Sequence, residues 1–225
     1  MPETGSLPTI AEVQANPKVV ALLDGANAVM RAMGYTEHGR RHAKIVSDSA
    51  GEVLEKLRVA DREVELGRIA AYLHDIGNVI NRIDHPISGA NLAYSILNEM
   101  GFPTSEIAKI LSAIGNHEEL AGVPVSTISA AVILADKSDV HYTRVQNPIL
   151  ESYDIHDRVN SAVQRSRLSM SPKDQTIELA LEIDTALATV MEYFEIFLSR
   201  MVMCRKAAAT FGYRFSLNVN GVALE

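Results

Sequence analysis

Apolar residues recur at helical spacing along the first two thirds of the chain and at strand spacing only towards its end. Thr9-Ile-Ala-Glu12 has the form of a capping box, in which a threonine and the glutamate three residues on satisfy each other's backbone donors. Asn16-Pro17 ends this short helix and starts a second, from residue 17 or 18 to about 33, which Gly34 stops. Thr36 then opens a helix to about residue 59, with His38 and His42 one turn apart and Ile45 and Val46 beside them. His42 leads into the apolar side, whereas His38, in the first turn, is expected to be exposed or at a pocket rim. Asp61 reads as the cap of a helix over residues 62–75, closed by Gly77, and Pro86 sets His85 at the mouth of another reaching Met100. Residues 105–116 form the next helix on Ile107, Ile110, Leu111 and Ile114, and Ser126 or Thr127 caps one running through Val132, Ile133 and Leu134 to Asp136 and beyond.

At Asn147-Pro148 the pattern changes, which predicts a helical domain over residues 1–147 and an extension over residues 148–225. In the extension Ile177, Leu179, Leu181 and Ile183 alternate with Glu178, Ala180 and Glu182, the period of a half-buried strand, and a strand over residues 165–170 precedes it. A long helix over residues 185–211 carries Leu187, Val190, Met191, Phe194, Leu198 and Met201 on one side and ends at Gly212. Phe215, Leu217 and Val219 alternate again before the turn signal Asn220-Gly221. The expected fold is mostly α, a helical bundle with a small C-terminal α+β extension in the order β-β-α-β. Its Met and aromatic stripe is expected to serve as core or dimer contact, which makes the extension a candidate surface for a homo-oligomer.

Within this pattern the run over residues 69–80 stands out, because His74 and Asp75 sit inside an otherwise almost wholly apolar stretch. A buried carboxylate is costly unless it is paired or binds a metal, and no Lys or Arg falls between Arg68 and Arg82. Neutral imidazole beside anionic carboxylate offers the ligand types that suit first-row divalent metals. His42, His85, His117 and Asp136 are the other candidates, and Asp136 repeats the burial argument inside its own apolar run. Glu118 and Glu119 are expected to be solvated, unless one of them orients His117.

Composition narrows the class. A net charge of −7 over 225 residues argues against a nucleic-acid or anionic-membrane binder. Cys204 is the only cysteine, so neither an intrachain disulfide nor a cysteine-rich zinc site can form, which fits a reducing compartment. Residues 1–6 show no leader pattern and no apolar run approaches the length of a membrane span, so the expected location is the cytoplasm, without membrane association.

The ordered set His42, His74-Asp75, His85, His117, Asp136 resembles the HD superfamily of metal-dependent phosphohydrolases, over roughly residues 36–144. The resemblance implies a helical bundle holding one divalent transition metal ion, such as Fe, Mn, Co, Ni or Zn, on His42, His74, Asp75 and Asp136. It also implies a second ion on His85 and His117, with Asp75 as bridge. The implied reaction is cleavage of a phosphate ester or anhydride of a small molecule, a nucleotide by first choice, through a metal-bridging hydroxide. Asp75 is then the residue whose loss is most damaging, and Lys137, Arg144, Arg40 and Arg41 are basic candidates to neutralise phosphate oxygens. Some two-metal members carry a lysine three residues after the pair's aspartate; Asn78 stands there, which argues against a cyclic-dinucleotide substrate.

Two other classes share these residues. Some HD-domain proteins resemble this chain in ligand order but hold two irons and activate dioxygen. A non-catalytic, metal-stabilised assembly module is the third reading, weakened if the ions keep exchangeable waters, because structural sites are usually closed.

Overall fold

The computed structural model describes residues 7–224; residues 1–6, in which no leader pattern is read, and Glu225 lie outside the described residues. Seven helices come first: α1 (Ile10–Ala15), α2 (Pro17–Ala32), α3 (Arg40–Lys56), α4 (Asp61–Leu73), α5 (His85–Glu99), α6 (Thr104–Gly115) and α7 (Thr127–Ser138). Then follow α8 (Ile155–Ala162), β1 (Val163–Ser171), β2 (Thr176–Ile183), α9 (Val190–Thr210), β3 (Arg214–Val219) and β4 (Val222–Leu224). Thr9 and Glu12 make the expected capping box at α1, and the Asn16 and Ser126 side chains cap α2 and α7.

The first core is built from the inner faces of α2 to α7, with Leu23, Val46, Leu54, Ile69, Leu73, Leu97, Ile110 and Val132 among its buried members. The second core joins the sheet to α7. Ala130, Ile133 and Leu134 of α7 pack with Ile177, Leu179 and Leu181 of β2 and Tyr193, Phe197 and Cys204 of α9. One buried helix thus has both cores on it, which fixes the extension against the helical part. The sheet runs β1-β2-β3-β4, with β2 and β3 parallel across α9 and the outer pairs antiparallel. Strand alternation in β2 appears as expected, Ile177, Leu179, Leu181 and Ile183 being buried.

Several local expectations are corrected. α3 begins at Arg40 with Gly39 as its cap, so His38 precedes the helix. The segment before it is drawn aside by tertiary bonds: the His38 amide donates to Asn27 Oδ1 and the Glu37 amide to the Arg144 carbonyl. His38 is consequently buried. Asp61 is the first residue of α4 and makes no cap bond. α4 ends at Leu73, leaving Asp75 outside it, at the start of a short 3-10 turn over Ile76–Val79. α9 begins at Val190, where Thr189 and Glu192 form a capping box. Its buried side carries Tyr193, Phe197, Met201 and Cys204, while Leu187, Met191 and Leu198 are exposed. This helix is apolar nearly all round, so spacing alone did not select the packed face. α8 and β4 have no counterpart in the expected order.

Gly77 is needed for close approach. A Cβ there would lie 2.0 Å from the His85 carbonyl oxygen and 2.5 Å from the Gly89 amide nitrogen. The bare backbone lets the turn after His74-Asp75 lie directly on the first turns of α5, which brings His85 to the pair.

Candidate metal centre

His42 comes from α3, His74 from the end of α4, Asp75 from the following turn, His85 from the start of α5, His117 from just beyond α6, and Asp136 from α7. The structure brings all six together. His42, His74, His85 and His117 are essentially inaccessible, and Asp75 is buried with them.

Each histidine is held by its Nδ1. That atom meets a carbonyl oxygen three residues earlier in three cases: Ala71 for His74 at 2.7 Å, Arg82 for His85 at 2.9 Å and Ile114 for His117 at 2.6 Å. In His42 it meets Asp139 Oδ2 at 2.7 Å. A carbonyl accepts only, so Nδ1 carries the proton and Nε2 presents its lone pair inward, the usual arrangement of a metal-ligating histidine.

These lone pairs face one another. His42 Nε2 and His74 Nε2 are 3.3 Å apart, and His85 Nε2 and His117 Nε2 are 3.0 Å apart. With Nδ1 protonated, neither contact is a hydrogen bond between neutral rings, and each calls for a cation between them. The Asp75 carboxylate divides itself between the pairs: Oδ2 lies 3.5 Å from His42 Nε2 and 3.2 Å from His74 Nε2, whereas Oδ1 lies 3.3 Å from His85 Nε2 and 3.8 Å from His117 Nε2. Asp136 Oδ1 joins the first pair, 3.4 Å from His42 and 3.6 Å from His74. Tetrahedral ligands at metal bond lengths stand about 3.3–3.6 Å apart, so the spacing of His42, His74 and Asp136 suits an ion, with Asp75 Oδ2 beside both histidines. His74, Asp75 and His117 also present ligand atoms within 4.8 Å of one another. The closer contacts assign His74 to the His42 side.

Charges around the centre are stabilised in opposite senses. Burial disfavours the ionised form of Asp75, but His74 beside it outweighs this and holds the carboxyl well below its ordinary range. Asp136 is likewise held low despite burial, by Lys137 and the two histidines facing it. For His74 burial acts downward, yet the carboxylates of Asp75 and Asp136 raise it to about 10, so without a metal ion a proton takes the Nε2 lone pair, and proton and ion compete for it. His38 stays neutral, pushed well below its usual value by burial and by Arg144.

Lys137 and Arg144 stand at the edge of the centre with their donors engaged. Lys137 Nζ lies 2.8 Å from Asp136 Oδ2 and 2.6 Å from Glu119 Oε2. The Arg144 guanidinium donates to the carbonyl oxygens of Glu37 and Asp139. Arg40 pairs with Asp24 at the surface, and Arg41 donates to Glu37 and to Asp139 Oδ2. Glu119 is half-buried rather than solvated, and it pairs with Lys137 and Arg200 instead of orienting His117.

Three residues escaped sequence reasoning, Asp139, which holds His42, and Arg82 and Arg200, while Glu119 was assigned another role. Asp139 follows Asp136 by three residues, a spacing that was readable as one more acidic group on the same helix side. Arg82 Nη1 lies 3.3 Å from His85 Nε2 and 3.9 Å from Asp75 Oδ1. Beside the centre opens a cavity of about 420 Å³, whose lining includes His38, Arg82, Glu119, Arg144, Phe197 and Arg200. The C-terminal helix α9 therefore walls the site. A groove of about 370 Å³ continues past Tyr35 and Arg82 along His85, Ile83, Ile87 and Leu120.

The HD domain model matches residues 37–158, more than half of the chain. The uncharacterised protein MJ1020 of Methanocaldococcus jannaschii is 30% identical over 206 residues, covering 80% of this chain and 79% of its own length. The crystal structure of a predicted HD superfamily hydrolase from an uncultured Thermotogales bacterium is similar at 25% identity and a TM-score of 0.44, covering 60% of this chain and 75% of its own. Among the described residues no helix is long and apolar enough to cross a membrane.

Proposed function

The chain belongs to the HD domain family, and on that premise we propose that it is a metal-dependent phosphohydrolase with a two-ion centre, cleaving a phosphate ester or anhydride of a small molecule, a nucleotide by first choice. One observation carries this reading: the two oxygens of Asp75 face different histidine pairs, Oδ2 towards His42 and His74, Oδ1 towards His85 and His117. A single-ion site has no need of that division. Divalent ions bound there supply Lewis acidity, acidify a water towards neutrality and draw in phosphate oxygens.

The chain's own groups do the rest. His42, His74 and Asp136 hold one ion, His85 and His117 the other, and Asp75 keeps the two in register. Asp139 and Lys137 brace His42 and Asp136 from behind. Arg82, beside the second pair and facing the cavity, meets the phosphoryl group. Tyr35, exposed in the cavity wall, offers a ring face for a flat organic moiety, which favours a nucleotide.

The test is metal content of the purified protein beside His85→Ala and His117→Ala, followed by a phosphate-release screen with the metal found. Two ions per chain, falling to about one in either variant, with phosphate released from a phosphate ester, is the expected result. One ion throughout, unaffected by either change, refutes the two-ion centre. Iron with oxygen uptake and no phosphate release refutes the hydrolase and installs the di-iron oxygenase in its place.

A further inference from the structure

Arg200 projects from α9 into the cavity beside the metal centre, and nothing in the two-ion chemistry calls for it. Its side chain is 19% exposed, and among the described residues its hydrogen bonding is confined to Nε, which donates to Glu119 Oε1 at 3.1 Å. The guanidinium carbon stands 4.4 Å from the centroid of the Phe197 ring. One edge of the fork is thus pinned by a carboxylate, its plane is supported by an aromatic face, and both Nη groups remain uncommitted.

Glu119 is shared with Lys137, which also pairs with Asp136, so Arg200 ends a chain of alternating cations and carboxylates in which its only side-chain partner among the described residues is already divided. Among the other charged groups of the cavity, Arg144 has its donors on backbone carbonyls, and Asp154 caps α8 and contacts His156. A fixed, partly desolvated fork with free donors is suited to bidentate capture of a carboxylate or phosphate, since little ordering remains to be done on binding.

Position separates that anion from the reacting one. Arg200 is linked to the metal ligand Asp136 through three ion pairs in series, by way of Glu119 and then Lys137, whereas Arg82 lies against His85. We propose that Arg200 holds a second anionic group of the substrate, a carboxylate or a further phosphate, distinct from the phosphoryl group at the metal centre. This rests on the phosphohydrolase reading and narrows it: the C-terminal helix selects substrates that are anionic at both ends.

Phenyl phosphate, 4-carboxyphenyl phosphate and 1,4-phenylene bisphosphate separate the cases, compared in the wild type, Arg200→Gln and Arg200→Lys. Arg200→Gln raises KM for the doubly anionic esters about tenfold more than for phenyl phosphate, the order expected for one charged hydrogen-bonded pair. Whichever of the two shows the larger ratio identifies carboxylate or phosphate as the group bound. Arg200→Lys, which keeps the charge next to Glu119 but loses the fork, falls between and guards against a folding defect. Calorimetric titration of the metal-free protein reads the subsite without turnover: 1,4-phenylene bisphosphate binds more tightly than phenyl phosphate, and Arg200→Gln removes the difference. Equal changes in KM for all three esters, together with no difference in metal-free binding, overturn the subsite while leaving the hydrolase standing. Absence of phosphate release with every metal overturns the hydrolase, and the metal-free titration still decides the subsite.

Discussion

The two halves of the centre share Asp75 and little else. On the Oδ2 side His42, His74 and Asp136 complete a set of four protein ligands, and each anchor is itself anchored: His42 by Asp139, which Arg41 also holds, and Asp136 by Lys137. On the Oδ1 side only His85 and His117 join Asp75, their rings oriented by backbone carbonyls alone, and a guanidinium already stands 3.3 Å from His85 Nε2. Outer partners of ligands are worth roughly 10–100-fold in metal affinity, so on the two-ion reading proposed above the first half retains its ion and the second exchanges it. On that reading substrate enters from the cavity side, where Arg82 and Arg200 lie.

The largest effect breaks the comparison outright. Asp75→Asn keeps the shape but removes the charge both halves rely on, so metal content falls in both, and phosphate release drops by more than the roughly 100-fold that an outer partner is worth. Loss of a single ion, with the other retained at full occupancy, would show that the carboxylate serves one half only.

A smaller change sharpens the difference. Arg82 puts a positive charge 3.9 Å from Asp75 Oδ1, on the side of the less equipped half. Arg82→Ala should therefore tighten the second ion by about tenfold while leaving the first unaltered, as expected on removing one nearby charge at a partly solvated site. The same variant should raise KM, because the arginine also meets the phosphoryl group. Titration of metal into the metal-free protein resolves the two steps; a second step weakened or unmoved would remove Arg82 from the ion's surroundings.

How far these features were legible depended on what made them. His74-Asp75 and Asp136 announced themselves because a carboxylate in an apolar run has few physical excuses, and the roles of the histidines followed from the resemblance of their order to the HD superfamily. Strand alternation marked β2 because only one of its faces is buried. His38 lines the cavity as one of its two expected places, but its position in the first turn of α3 was misread because tertiary bonds to Asn27 and Arg144, not local propensity, draw its segment out of the helix. Thr189 and Glu192 carried a readable capping signal for the true start of α9, overlooked in favour of a longer apolar run. Arg82 and Arg200 had no local signature at all, and Glu119 had only its place beside His117. They meet only because α7 carries both cores and so seats α9 against the helical part.

The smallest effect concerns the brace behind Asp136. Burial disfavours the Glu119 carboxylate, but Lys137 and Arg200 outweigh it and lower it from 4.5 to about 2. A carboxylate held low in the folded state binds its proton later than in the unfolded chain, so it contributes stability above about pH 4.5 that is lost as pH falls towards 2. Glu119→Gln removes that contribution and leaves two cations short of a partner. The variant should be less stable than the wild type at pH 7, with the gap closing between pH 4.5 and about 2, as read from urea midpoints of the metal-free proteins. Because Glu119 touches Asp136 only through Lys137, ion affinity in the first half should change by no more than a few-fold, below the usual range for direct outer partners. A stability gap constant across the acid range would mean that Glu119 acts by packing alone, and the first half would then owe its firmness to Asp139 rather than to this pair.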